Sequence, residues 1–108
     1  MSTDDTLHRL AETLEARKQA SPEDSYVARL YAGGLEAMLD KVREEAQETV
    51  EAAGGDPEHL VHEVADLWFH CLVLLAYRDL GPGAVLDEIE RRFGTSGLVE
   101  KAQRERSR

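Results

Sequence analysis

Hydrophobic positions recur along this chain at spacings of three and four, interrupted at Ser21-Pro22, Gly33-Gly34, Gly54-Gly55-Asp56-Pro57, Gly81-Pro82-Gly83 and Gly94 to Gly97. That rhythm is helical, and no stretch carries the two-residue alternation of a strand. The fold class expected is therefore all-α, a bundle of four to five helices. Residues 4–19 place Leu7, Leu10, Ala11 and Leu14 on one stripe, with Asp4, Asp5 or Thr6 as N-cap. Ser21-Pro22-Glu23-Asp24 combines a cap residue, a proline at the first helical position and an acid behind it, predicting a short helix to Tyr31. From Leu35 to Ala53, the residues Leu35, Met38, Leu39, Val42, Ala46, Val50 and Ala53 define one face, and Gly54 ends the helix. Asp56-Pro57-Glu58 opens the next, predicted to run to about Leu80 with Gly81 in the left-handed position. A last helix, about Ala84 to Phe93, carries Val85, Leu86, Ile89 and Phe93.

The second half of the helix opened by Asp56, from Leu67 to Tyr77, is apolar nearly all round, which in water means burial on every side. A chain of 108 residues can hardly enclose such a helix alone, so one side is expected to pack on a partner subunit in a homo-oligomer. Trp68, Phe69 and Tyr77 are expected in the core, with Cys71 a small buried hydrophobe. His59 and His62 are expected as exposed residues near the helix start. His70 is expected to pack, or to support a site from behind, rather than to bind a ligand directly.

Composition narrows the function. At 108 residues the chain is expected to form one domain, 1–108, with a basic tail from about residue 95. Twenty-two acids against thirteen Lys and Arg give a net charge of −9, the wrong sign for a general nucleic-acid binder. The charge is uneven: Glu36 to Asp66 holds ten acids and two bases, Arg91 to Arg108 six bases and two acids. Cys71 is the single cysteine, so no intrachain disulfide or multi-thiolate zinc site forms. The start, MSTDDTLHRL, has no secretory pattern, and no continuous apolar run reaches the roughly 18 residues of a membrane span. A cytoplasmic location and no membrane partner are expected.

The chemistry concentrates in Lys41-Val42-Arg43-Glu44-Glu45-Ala46-Gln47-Glu48 and Glu63-Val64-Ala65-Asp66. At about 100° per residue, Glu44 and Glu48 lie close together on their helix, and Glu45 sits further round beside the apolar stripe, facing a neighbour. Glu63 and Asp66 share a side. If the two helices pair antiparallel across Gly54 to Pro57, four or five carboxylates converge at matched distances from the turn. Like charges so placed repel, and a divalent cation resolves the conflict. All-oxygen ligation suits Mg²⁺, with Mn²⁺ as a substitute, and leaves room for substrate phosphates. Phosphoanhydride hydrolysis then needs little more than a spare carboxylate as base. A di-iron bundle requires Glu-x-x-His, which this sequence lacks.

Together with Ser25-Tyr26, Ala28-Arg29-Leu30 and Arg92-Phe93-Gly94-Thr95-Ser96-Gly97-Leu98-x-Glu100-Lys101, these motifs resemble those of the phosphoribosyl-ATP pyrophosphatases over about residues 7–101. That family belongs to histidine biosynthesis and to the all-α nucleoside triphosphate pyrophosphatase group. The resemblance implies hydrolysis of 1-(5-phosphoribosyl)-ATP to 1-(5-phosphoribosyl)-AMP and pyrophosphate, with Mg²⁺, in a helical homodimer. Carried over by position, it makes Glu45, Glu48, Glu63 and Asp66 metal ligands, with Glu44 assisting or binding a further ion. Glu48 is the first choice for activating water. Substrate contacts fall to Tyr26, Arg29 and Lys41, with Arg92 and Lys101 meeting the extra 5-phosphate unless they form a solvated basic end. Alternatives are a housecleaning pyrophosphatase acting on dUTP or noncanonical nucleotides, and a non-catalytic helical dimer module. The chain has neither the length nor the cysteines for a fused zinc cyclohydrolase, so a monofunctional enzyme is expected.

Overall fold

Capping chemistry sets most of the boundaries in the computed structural model, which describes residues 3–93 together with Arg104 and Glu105. Among these residues there are four α-helices and no strand: α1 Thr3–Ala16, α2 Tyr26–Ala52, α3 Pro57–Tyr77 and α4 Pro82–Phe93, with a 3₁₀ turn at Arg17–Gln19 after α1. The all-α expectation holds. Helix α1 begins one residue before its expected caps, so Asp5 and Thr6 lie inside its first turn.

The helix expected from Ser21 to Tyr31 starts later. Ser21 closes a turn instead: its carbonyl accepts from the Asp24 and Ser25 amides (3.0 and 3.1 Å), and its hydroxyl accepts from the Glu23 amide (3.2 Å). Ser25 is the true N-cap of α2, its buried hydroxyl accepting from the Ala28 amide at 3.1 Å. Helix α2 then runs through the Gly33-Gly34 break. Gly34 takes φ 78°, ψ −172°, a conformation open essentially to glycine alone, and kinks one helix into two segments. At α3, Asp56 caps and Pro57 opens as expected, the Asp56 carboxylate accepting from the His59 amide at 3.3 Å.

The end of α3 departs from expectation. The helix stops at Tyr77, and the left-handed residue is Asp79 (φ 60°), not Gly81. Leu80 N donates to Leu75 O (2.8 Å) and Asp79 N to Ala76 O (3.0 Å), the two bonds of a Schellman cap. Lys18, within the 3₁₀ turn after α1, reaches Asp79 at 2.9 Å, a tertiary contact that local sequence does not announce.

Leu14, Met38 and Val73, one from each of α1, α2 and α3, are fully buried, with Val27, Leu30 and Ala76 completing the core. Tyr31 donates its hydroxyl to the Leu14 carbonyl (2.9 Å) and stacks on Tyr77. Phe69 packs against this core as expected. Trp68 does not: it is 60% exposed, while Tyr77 is 39% exposed and Cys71 half-buried. Trp68 and Cys71 lie on the side of α3 that faces α1 and α4, whereas Tyr77 meets Tyr31 of α2. By length and mean hydropathy (1.4), α3 meets the threshold for a membrane span, which its run lengths did not suggest, yet only 22% of that window is buried within this chain. Leu7, Trp68, Cys71, Leu75, Val85 and Ile89 line an apolar groove of about 270 Å³ between α1, α3 and α4. Lys101 and the expected basic tail from about residue 95 lie outside the described residues, apart from Arg104 and Glu105.

Candidate functional site

Helices α2 and α3 pack against one another across the short Ala53–Asp56 connection, and their acids meet where the spacing from that turn places them. Carboxylate oxygens of Glu45, Glu48 and Glu63 lie within 4.8 Å of one another. A second group shares Glu63: His62, Glu63 and Asp66 bring their ligand atoms within the same distance. Four of the five predicted carboxylates, all but Glu44, thus fall into two triads that share Glu63, the second completed by His62.

Burial makes the inner triad costly without a counter-ion. Glu45 is 5% and Glu63 7% exposed, and one oxygen of each, Oε2, is buried with no hydrogen-bond partner. Burial first, then the adjacent Glu48 carboxylate and Asp66, push the Glu45 carboxyl above its ordinary value, with Lys41 opposing. Burial and Glu48 push Glu63 up likewise, with His59 and His62 opposing. Glu48, half-buried on the open side, is the acid common to both shifts. Two orphaned, buried carboxylate oxygens facing a third carboxylate make an all-oxygen donor set that fits a hard divalent cation.

The remaining candidates divide by position. Lys41 stands over the inner triad, 3.6 Å from Glu45 Oε1 and 3.2 Å from Glu44 Oε2. Burial works against its charge, but Glu44, Tyr26 and Glu45 outweigh that and hold the ammonium above its ordinary value. Glu44 itself is exposed, turned to Lys41 and outside both triads. Asp66 is 40% exposed at its side chain, with Oδ2 at 3.3 Å from His62 Nε2. Tyr26, exposed at the start of α2, places its hydroxyl 2.8 Å from His70 Nε2, and His70 Nδ1 lies 2.7 Å from the Asp66 carbonyl. His70 is buried behind the acids, its ring contacting α2 and the α3 backbone. Arg29 is exposed one turn along from Tyr26. Arg92 pairs with Glu88 on its own helix at 3.1 Å; Arg91 and Arg92 together hold Glu88 down to about 2. Nothing in the described residues brings Arg92 to the acidic triads, and Lys101 is outside them.

Two features escaped the sequence. His62 stands four residues before Asp66, a helical spacing that signals contact, but an exposed histidine near a helix start reads as solvated. The Tyr26–His70 pair spans 44 residues and has no local signal.

A sequence profile of the phosphoribosyl-ATP pyrophosphohydrolase family matches residues 7–93. A phosphoribosyl-ATP pyrophosphatase of Methylococcus capsulatus is 61% identical over 101 residues, covering 93% of this chain and 96% of that protein. Proteins of the same name from Burkholderia vietnamiensis and Burkholderia cenocepacia are 56% and 54% identical over 110 residues, covering 97% of this chain and 91% of each relative. The matched span includes most of α1, all of α2, α3 and α4, and both acidic triads, so the chain belongs to the phosphoribosyl-ATP pyrophosphohydrolase family.

Proposed function

We propose that this protein is a Mg²⁺-dependent hydrolase that cleaves 1-(5-phosphoribosyl)-ATP to 1-(5-phosphoribosyl)-AMP and pyrophosphate, a step of histidine biosynthesis. The observation that carries the metal is the pair of buried, unpartnered Oε2 atoms on Glu45 and Glu63, facing Glu48. Glu45, Glu48 and Glu63 would hold the ion, with Asp66 beside them. When bound, such an ion neutralises phosphoryl oxygens, aligns the leaving pyrophosphate and makes a nearby water more acidic. Glu48, the more accessible of the inner three, accepts the proton of the attacking water. Lys41 contacts a substrate phosphate from the edge of the cluster, and its pairing with Glu44 keeps it charged and directed there. Tyr26 and Arg29, exposed on the first turn of α2, lie along the same side as further substrate contacts. Arg92 and Lys101 meet the 5-phosphate. The working unit is a homodimer in which the uncovered apolar sides of α3 and α4 pack on a second copy.

A pyrophosphate-release assay offering phosphoribosyl-ATP, ATP and dUTP in parallel, with and without Mg²⁺, tests this reading. Selective, Mg²⁺-dependent turnover of phosphoribosyl-ATP is expected, with Glu48→Gln slower by about 10²- to 10⁴-fold in kcat. Preferential turnover of dUTP would overturn the substrate while leaving the metal chemistry standing.

A further inference from the structure

The contacts of His70 decide which way a hydrogen points between two helices. The ring is buried on α3, edge-on to Phe69 and to Tyr26 with centroids 5.3 and 5.8 Å away. Its Nδ1 lies 2.7 Å from the Asp66 carbonyl oxygen, which can only accept, so Nδ1 carries a hydrogen. The two hydrogen bonds of the ring go to a carbonyl and a hydroxyl rather than to a carboxylate, which suits a neutral imidazole, and in that form Nε2 is a bare acceptor. The Tyr26 hydroxyl, 2.8 Å away, therefore donates to Nε2. With its one hydrogen committed inward, the phenol oxygen offers only acceptor capacity to the open side, where Tyr26 is 42% exposed. Both ends of this side chain are held: the backbone by the Ser25 cap of α2, the hydroxyl by α3. Packing alone would be met by any apolar ring at position 70 and does not call for a buried acceptor under an exposed tyrosine. Tyr26 also stands close enough to Lys41 to act on its charge, which puts the phenol oxygen at the edge of the acidic cluster.

We propose that His70 is a positioning residue that never touches substrate: by accepting the Tyr26 hydroxyl hydrogen it makes Tyr26 an acceptor for a ribose hydroxyl of the nucleotide, not a donor to its phosphates. The inference rests on the nucleotide-hydrolase reading of the site. Phosphate oxygens of the substrate accept hydrogen bonds and offer none, so an acceptor-only phenol oxygen has no bond to make with them. The ribose next to the triphosphate carries the donors nearest to a phosphate at Lys41, and the amino group of the base lies further along the molecule.

Long-range ¹H–¹⁵N spectra of the wild-type imidazoles at pH 8, with His70 assigned through the backbone, test the first half without any activity. His70 should carry its hydrogen on Nδ1, the reverse of the tautomer common in free histidine, and Tyr26→Phe should shift the Nε2 resonance. A hydrogen on Nε2 overturns the inference whatever the kinetics show. Steady-state kinetics on phosphoribosyl-ATP test the second half with Tyr26→Phe, His70→Phe, the double variant and His70→Gln. Each single removal of the bond should raise KM by about three- to tenfold with kcat within about twofold of wild type, as for an interaction made equally before and in the transition state. The double variant should be no worse than either single one. His70→Gln, whose side-chain oxygen accepts in place of Nε2, should bring KM back toward the wild-type value. Additive losses, or losses in kcat alone, would leave His70 a packing residue and overturn the proposal. Of the substrate analogues deoxygenated at the 2′ or the 3′ position of the ATP ribose, one should abolish the Tyr26→Phe penalty; a penalty that survives both overturns the ribose contact. Absence of turnover of any nucleotide by the wild type with Mg²⁺ overturns the functional reading and this substrate contact together.

Discussion

Glu45 and Glu63 carry the strongest conflict in the molecule, and its sign gives a measurable pH dependence. Both carboxyls are held above the ordinary Glu value of 4.5, by burial first and by Glu48 next. The folded, metal-free chain therefore binds protons that the unfolded chain has released, so stability is greatest below pH 4.5 from these two groups and falls as pH rises through their folded values. Thermal melts in chelator from pH 4 to pH 8 should show that fall, and saturating Mg²⁺ should flatten it by favouring the ionised forms. A metal-free protein whose stability is unchanged over that range, or rises with pH, would contradict the conflict. The acids themselves were legible in the sequence because EExxE and ExxD spacing, measured from a shared turn, places them together. Their division into two triads was not, because it depends on how deeply each side chain enters the α2–α3 contact, and helical spacing alone gives direction without depth.

Element boundaries were legible where the signal was local and misread where two signals competed. Asp56-Pro57 opened α3 as expected, since one cap and one proline stand together. Ser21 and Ser25 lie four residues apart, both able to cap; the turn that Ser21 closes on its own hydroxyl and carbonyl leaves Ser25 to begin α2. Asp79 took the left-handed position that Gly81 offered, where the Schellman bonds close and Lys18 meets its carboxylate from another element. Gly34 is the junction on which α2 turns: a Cβ there meets nothing within 4 Å, so any penalty is backbone conformation alone. Gly34→Ala should cost about 1–3 kcal/mol in urea unfolding. A loss under 0.5 kcal/mol, roughly the scatter expected of a neutral surface change, would show that α2 does not need this kink.

At the scale of the whole molecule, the same helix α3 presents its acids to α2 and leaves much of its apolar surface uncovered. The pattern from Leu67 to Tyr77 called for burial on every side, but periodicity does not say which chain supplies the cover. Within this chain Trp68 remains 60% exposed, with Val85 and Ile89 of α4 beside it at the same groove. Trp68 is the single tryptophan, so its emission reports that surface directly. Sedimentation at micromolar concentration should give a dimer with blue-shifted Trp68 emission, and Ile89→Glu should give a folded monomer with red-shifted emission. A stable wild-type monomer at the 12.1 kDa of one chain would overturn the dimer.

The most direct test of the central claim, that the buried acids of α2 and α3 exist to hold a divalent cation, is the melting temperature with and without Mg²⁺ for the wild type and for Glu63→Gln combined with Asp66→Asn. Binding at one hundred times Kd stabilises the native state by about 2.7 kcal/mol. The wild type should therefore melt measurably higher with Mg²⁺. The double variant, relieved of two carboxylates and deprived of the ligands, should lose that response. A wild-type melting temperature indifferent to Mg²⁺, or a response that survives in the double variant, would contradict it.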